Sequence, residues 1–274
     1  MTTVLELLRA ADVECYTRSQ WGSPQEKAGA YKRRRSTHPM PGGKAKYHFL
    51  HITVTADTDT VAEGKDGARK VETYGLSTPP MVSYQALVTN EGRWFEGQSY
   101  GVKGTHTIND KAVPGFVRDL NAQGYAAAIM QNVGDPVTDI QVQVIAMTFA
   151  AAELAGYVEK GAPIYPHRVF AWKDCPGDKA VARLGEIQKL KDQYVRDGLG
   201  PDPEYPRRVL ASIEQIEEGL PAQKAALRRT RKAREVAERK GERLKPYDLA
   251  IASLERSVKN QEQALLRLRR VDKR

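Results

Sequence analysis

The residues best able to do chemistry in this chain are its histidines and thiols. His38, His48, His51, His106 and His167 are the five imidazoles, and Cys15 and Cys175 are the two thiols. His167 and Cys175 stand eight residues apart in a stretch that also holds Lys173 and closes on Pro176 and Gly177. Mixed nitrogen and sulfur donors suit zinc, and a catalytic zinc site takes three protein donors and keeps a position for water. Pro176 and Gly177 force a turn directly after the thiol and can aim it. Spacing alone does not decide for a metal, because two ligating residue types eight apart also arise by chance. A third donor has to come from a distant segment. His48 and His51 lie three apart on a stretch that reads as a strand, so alternation sends them to opposite faces and only one can join. His48 shares its face with Leu50, Ile52 and Val54, an apolar side that a helix would cover, whereas His51 shares its face with Thr53. His51 is the better ligand, and His48 reads as a core or edge histidine. The context of Cys15 suggests a packed core residue.

These donors need a scaffold. Residues 47–55 are rich in aromatic and β-branched types and predict a strand. Residues 82–89 predict a second strand, and a turn at Asn90, Glu91 and Gly92 returns residues 93–96 as its hairpin partner. Residues 125–132 predict a third main strand. Residues 138–160 predict the longest helix of this part, with a capping box from Thr138 and Gln141 and a stop at Gly161. Residues 178–197 predict another, with Ala180, Leu184, Ile187, Leu190 and Tyr194 on one stripe. The basic, Gly/Pro-containing stretch 23–46 reads as a surface loop. Strands interspersed with helices imply an α/β domain, a mixed central sheet with helices packed on it.

The second boundary is one of composition. Between residues 198 and 206, three prolines and two glycines read as a linker, dividing a domain at 1–197 from a helical segment at 207–274. In that segment Tyr247, Ile251, Leu254, Val258, Gln261, Leu265 and Leu268 alternate spacings of four and three, the pattern of a coiled coil. Val209, Ile213, Ile216 and Leu220 begin the same pattern before Pro221, which should kink or restart the helix. A C-terminal helical hairpin turning near Lys245 and Pro246 fits best. Residues 201–274 carry 19 basic and 12 acidic residues, a net +7 of the chain's +9. That excess favours anionic partners without choosing among them. The mixed signs fit a salt-bridged helical surface more simply than a nucleic-acid interface, so no nucleic-acid partner is expected. No run reaches the ~20 apolar residues of a membrane span, and the first residues lack the pattern of a secretory signal.

Five blocks in order make the chain similar to a known family. They are Arg18, Ser19, Trp21 and Gly22; His51 and Thr53; Tyr84 and Gln85 with the turn at Gly92 and the pair Glu96, Gly97; Gly104, His106 and Asn109; and His167 with Cys175, Pro176 and Gly177. Over residues 14–195 they resemble the type-2 N-acetylmuramoyl-L-alanine amidases, which include peptidoglycan recognition proteins and amidase-type phage lysozymes. The resemblance implies one Zn2+ per chain on His51, His167 and Cys175, a catalytic Tyr84, and a catalytic Lys173 as in the phage enzymes. It also implies substrate contacts from His106, Asn109 and Gln85. Two departures stand out: Gln85 replaces a histidine, and a His-His pair on the first strand is reduced to His51 and Ile52. The implied reaction is hydrolysis of the amide between the lactyl group of muramic acid and L-alanine in bacterial peptidoglycan. The alternative is a recognition module that holds peptidoglycan without cutting; such relatives typically lose the thiol ligand, which is present here. A cysteine hydrolase built on Cys175 and His167 is a weaker rival, because no orienting Asn or Asp is evident. A basic tail on an amidase without an export signal looks like a phage endolysin, made in the host cytoplasm and acting at the wall after release. Its C-terminal helices would target anionic wall polymers or form a homo-oligomer.

Overall fold

The structure is a computed structural model and describes residues 2–55, 58, 60–75, 77–107, 111, 113–116, 119–199, 205–239 and 244–271. The chain divides into two compact units, residues 1–201 and 202–274. Part of the expected linker, 200–204, lies outside the described residues.

The first unit is built on a six-stranded sheet: β1 (Cys15–Tyr16), β2 (Tyr47–Ile52), β3 (Ala86–Val88), β4 (Trp94–Glu96), β5 (Gly124–Ile129) and β6 (Ile164–Pro166). The strand order is β1-β4-β3-β5-β2-β6. Only β3 and β4 pair antiparallel, as the hairpin about Gly92; the other neighbours are parallel. Strands β2, β3, β4 and β5 are shorter than the expected stretches 47–55, 82–89, 93–96 and 125–132.

Ten α-helices are described: α1 (Val4–Ala10), α2 (Arg18–Trp21), α3 (Pro24–Lys27), α4 (Ala30–Thr37), α5 (Val61–Thr73), α6 (Asp139–Leu154), α7 (Asp178–Ala182), α8 (Leu184–Asp197), α9 (Tyr205–Arg239) and α10 (Lys245–Val271). Strand alternation divides the core in two. Leu50, Ile52, Ala127 and Ile129 face α6, which is apolar almost all round and is packed in turn by α1 and α8. On the other side, Leu87, Phe95, Ala128 and Met130 meet α2 and α5, and Phe49 and Ala126 pack with Leu120 and Phe170. His48 and His51 therefore point to opposite sides of β2. His48 is buried against α6, where Glu153 Oε1 lies 3.0 Å from its Nε2. The same carboxylate takes Lys191 Nζ at 2.6 Å and, through Oε2, the Gly161 amide at 2.7 Å.

Several elements depart from expectation. The stretch 23–46 is α3, α4 and a short 3-10 turn rather than a surface loop. Ser23 caps α3 with Pro24 in its first position, and the Tyr31 hydroxyl ties α4 down by bonding Glu72 and accepting from the Val82 amide. Helix α6 carries the expected capping box but ends at Leu154, because Gly156 turns the chain with φ 79°, ahead of the expected break at Gly161. The helix expected over 178–197 breaks at Arg183, whose guanidinium reaches Asp139, Glu186 and the Val137 carbonyl. Helix α5 was not anticipated from the sequence.

In the second unit α9 and α10 form an antiparallel hairpin held by Lys224–Glu262 at 2.6 Å, Arg231–Glu255 at 2.5 Å and Arg234–Asp248 at 2.6 Å. Helix α9 runs unbroken through Pro221, where a kink or restart was expected. The helix does not restart at Pro221, and the ion pairs to α10 hold the segment that follows it. Val258 is buried, while Tyr247, Ile251, Leu254 and Gln261 are half-buried; the side chains of Val209, Ile213, Leu265 and Leu268 lie outside the described residues. No described helix is long and apolar enough to cross a membrane.

Candidate metal centre

Three donors meet on the face of β2 away from α6. His51 comes from the strand itself. His167 opens a 3-10 turn (His167–Val169) directly after β6, which pairs with β2. Cys175 returns because the Arg168 amide donates to the Cys175 carbonyl at 2.7 Å, closing the intervening loop. Arg168 also bridges Asp174 at 3.1 Å and Asp178 at 2.7 Å, fixing both ends of that loop.

One ligand atom from each of His51, His167 and Cys175 lies within 4.8 Å of the other two, so the trio could hold a metal ion. The His51 and His167 ring centres are 4.4 Å apart. Cys175 Sγ lies 3.8 Å from His51 Nδ1 and accepts the Ile52 amide at 3.4 Å. Mixed imidazole and thiol donors converging in this way are of the type that can hold a metal ion. His51 Nε2 is buried without a hydrogen-bond partner among the described residues. Burial, then the neighbouring His167 and His106, pushes His51 well below the ordinary histidine range. Its imidazole is therefore neutral at neutral pH, the form that binds metal. Burial pushes the Cys175 thiol up to about 11, against the Ile52 amide and Lys173, which favour the thiolate.

The trio adjoins a cleft of about 410 Å³ that His167, His106, Tyr84 and Lys173 all line. Tyr84 packs on His51 with ring centres 4.9 Å apart, and burial, then Cys175, holds its hydroxyl protonated well above the usual tyrosine range. Lys173 is on the exposed rim. His106 is buried, with its ring 5.3 Å from His51 and its Nε2 3.4 Å from the Gly124 carbonyl; burial drives it down to about 3. Gly104 leaves room for it, since a Cβ there would sit 2.4 Å from the His106 ring. Gln85, expected at the substrate, does not line this cleft. Its Oε1 accepts the Ala126 amide at 2.8 Å and its Nε2 donates to the Val102 carbonyl at 3.4 Å, so it serves the backbone of the sheet. Asn109 lies outside the described residues.

The cleft also takes Lys70, Val71 and Tyr74 from the end of α5, together with Thr53, Val54, Thr55, Ser83 and Thr105. Lys70 and Tyr74 enter the site only through α5, whose two glycines mask it in the sequence. Their four-residue spacing on a capped helix was the available signal. The described lining carries two lysines and no carboxylate.

No family model and no curated protein matches the sequence. Solved structures do match. Drosophila PGRP-LB aligns at 15% identity over 66% of this chain and 95% of that one, with a TM-score of 0.50. Bumblebee PGRP-SA aligns at 18% identity over 70% and 98%, also at 0.50. PGRP-SA of Apis mellifera aligns at 15% over 64% and 94%, again at 0.50. The fold of the first unit is that of the peptidoglycan recognition proteins, a mixed sheet with packed helices, and the α9–α10 hairpin follows it.

Proposed function

We propose that this chain is a zinc-dependent N-acetylmuramoyl-L-alanine amidase, cutting the lactyl–L-alanine amide of bacterial peptidoglycan and serving as a phage endolysin. The observation that carries the reading is the convergence of His51, His167 and Cys175 beside a cleft lined by Tyr84 and Lys173. Zinc, when bound by these three donors, supplies Lewis acidity at the scissile carbonyl and lowers the pKa of water. Hydrolysis forms a C–O bond to the carbonyl carbon, breaks the C–N bond and leaves a proton on the alanine nitrogen. The protonated Tyr84 hydroxyl donates to the carbonyl oxygen as it gains charge. The Lys173 ammonium adds positive charge at the same place or passes a proton from Nζ to the leaving nitrogen. Lys173 on the rim suits an acidic stem peptide, whereas the Lys70 charge is already met by Asp66 at 2.8 Å.

A Cys175–His167 nucleophile pair is disfavoured, because it needs a lowered thiol and burial raises this one. Holding peptidoglycan without cutting is the alternative. Metal analysis of the purified protein and digestion of cell walls separate the readings. About one zinc per chain, with free L-alanine amino groups and no new reducing sugar ends, is the expected result. Reducing ends as the main product would point to a glycosidase, and binding without products to a recognition module.

A further inference from the structure

Trp172 is 77% exposed, one residue before Lys173. The chain's other two tryptophans, Trp21 and Trp94, are fully buried. Tryptophan is highly buried on average, so its exposure here sets Trp172 apart from the other two. Nor is it a loose side chain. Lys111 Nζ sits 4.4 Å from the centre of its ring and is itself tied to the Arg168 carbonyl at 2.9 Å, while the Lys111 amide donates to the Phe170 carbonyl at 3.2 Å. Phe170 and Ala171 before it are buried, and the Arg168–Cys175 backbone bond closes the loop around it. The ring is thus held in water, on the same pinned loop that delivers His167 and Cys175.

We infer that Trp172 is a glycan-binding residue whose indole stacks on the apolar C–H face of an N-acetylated hexopyranose. The choice of sugar rests on the reading as a peptidoglycan hydrolase. In that substrate the muramic acid ring is joined to the scissile amide through the short lactyl group. The α-carbon of Trp172 is ~3.8 Å from that of Lys173, whose side chain lines the cleft. Trp172 lies outside the cleft lining itself, next in sequence to its rim residue Lys173, so the sugar it would take is one that extends beyond the cleft on the carbonyl side of the amide. A flat, rigid aromatic held in place loses little freedom on binding, and pyranose hydroxyls can stay in water at the ring's edge.

The test needs no turnover. Iodide quenches exposed tryptophan, so in the full-length protein it reads Trp172 above the buried Trp21 and Trp94. The peptide-free disaccharide of N-acetylglucosamine and N-acetylmuramic acid is expected to protect against that quenching. Calorimetry should show binding that weakens about tenfold in Trp172→Ala, the scale of one aromatic contact, and is largely kept in Trp172→Phe. Absence of protection and of binding would overturn the inference, as would equal affinity in Trp172→Ala. Protection by anionic lipid vesicles in place of the disaccharide would overturn it too, in favour of a membrane contact. If the disaccharide protects while walls are not cut, the stacking stands and the hydrolase reading falls. If walls are cut without protection, the reverse holds.

Discussion

At the level of single side chains the donors divide cleanly into those that would hold metal and those that would act on substrate. His51→Ala, His167→Ala and Cys175→Ala are expected to lose zinc and wall hydrolysis together. Tyr84→Phe and Lys173→Ala should keep zinc and lose about 10²–10³ in kcat, the cost of one group aimed at developing charge. Metal content by atomic spectroscopy beside rate decides it; full zinc in Cys175→Ala would sink the ligand assignment. A pH experiment follows from the thiol. Burial holds Cys175 protonated up to about 11, and the buried His51 is neutral near pH 7. Above the ordinary histidine range, binding zinc to the metal-free protein should therefore release about one proton, and affinity should rise about tenfold per pH unit between about pH 7.5 and 9. A flat profile would mean that the thiol is not a ligand. Strand alternation separates His51 from His48 in the sequence, and the apolar neighbours of His48 favour His51; the set of three came only with the family resemblance, and the structure brings its members together. The place of Gln85 was not legible, since nothing in its motif says that its amide is already taken by Val102 and Ala126.

At the level of the element, the far side of β2 holds what the site depends on. Glu153 on α6, Lys191 on α8 and His48 on β2 meet with all three side chains fully buried. Lys191 Nζ also donates to the Ala162 carbonyl at 2.8 Å and pairs with Asp192 at 2.9 Å. Lys191→Met would leave the Glu153 carboxylate buried without its cation, at a cost of about 3–5 kcal/mol in urea unfolding. The pH sign is the same for both titrating partners. Despite burial, hydrogen bonds from His48, Lys191 and the Gly161 amide hold Glu153 below the ordinary carboxylate range. Its stability is present above that range and lost as acid protonates it. Burial holds His48 below its ordinary 6.5 even with Glu153 beside it, so the unfolded chain takes up that proton first. Stability should fall as pH drops below about 6.5, and a midpoint independent of pH between 7 and 4 would contradict the arrangement. Strands β2 and β5 and helix α6 were readable because burial imposes period and length on them. Helix α5 was not: Gly64 and Gly67 lower its helix propensity by about 1 kcal/mol each, and their use appears only in three dimensions. A Cβ at Gly64 would meet the Phe95 ring at 2.8 Å, so the glycines let α5 lie close on the sheet. The 23–46 stretch was misread for a related reason, since its order comes from distant partners such as Glu72 and Val82 rather than from local pattern.

At the level of the whole molecule the open matter is what the second unit adds. Residues 201–274 carry a net +7, and the described charges on α9 and α10 pair across the hairpin without consuming that excess. Two helices alone bury a seam only in part: Val258 is buried, but Ile251 and Leu254 remain half-buried and Leu249 is 63% exposed. Such a hairpin can hold an enzyme to a polyanion through its charge, or join another chain through its seam. The two modes respond differently to salt, because screening over a Debye length of ~8–10 Å weakens the first and leaves apolar burial intact. The first unit has its own sheet, both of its packed faces and the complete donor trio within residues 1–201. A chain ending at Leu199 is therefore expected to fold, keep zinc and cleave soluble muropeptide fragments at the full-length rate. On whole walls at low ionic strength it should bind and lyse more slowly than the full chain, and the gap should close as salt is raised. Sedimentation of both forms separates the modes: a full-length protein that stays monomeric while showing the salt-sensitive gap uses the hairpin for targeting. If the shortened chain lysed intact walls as fast as the full chain at low salt, targeting would be excluded and the seam's burial against another copy would be the better account.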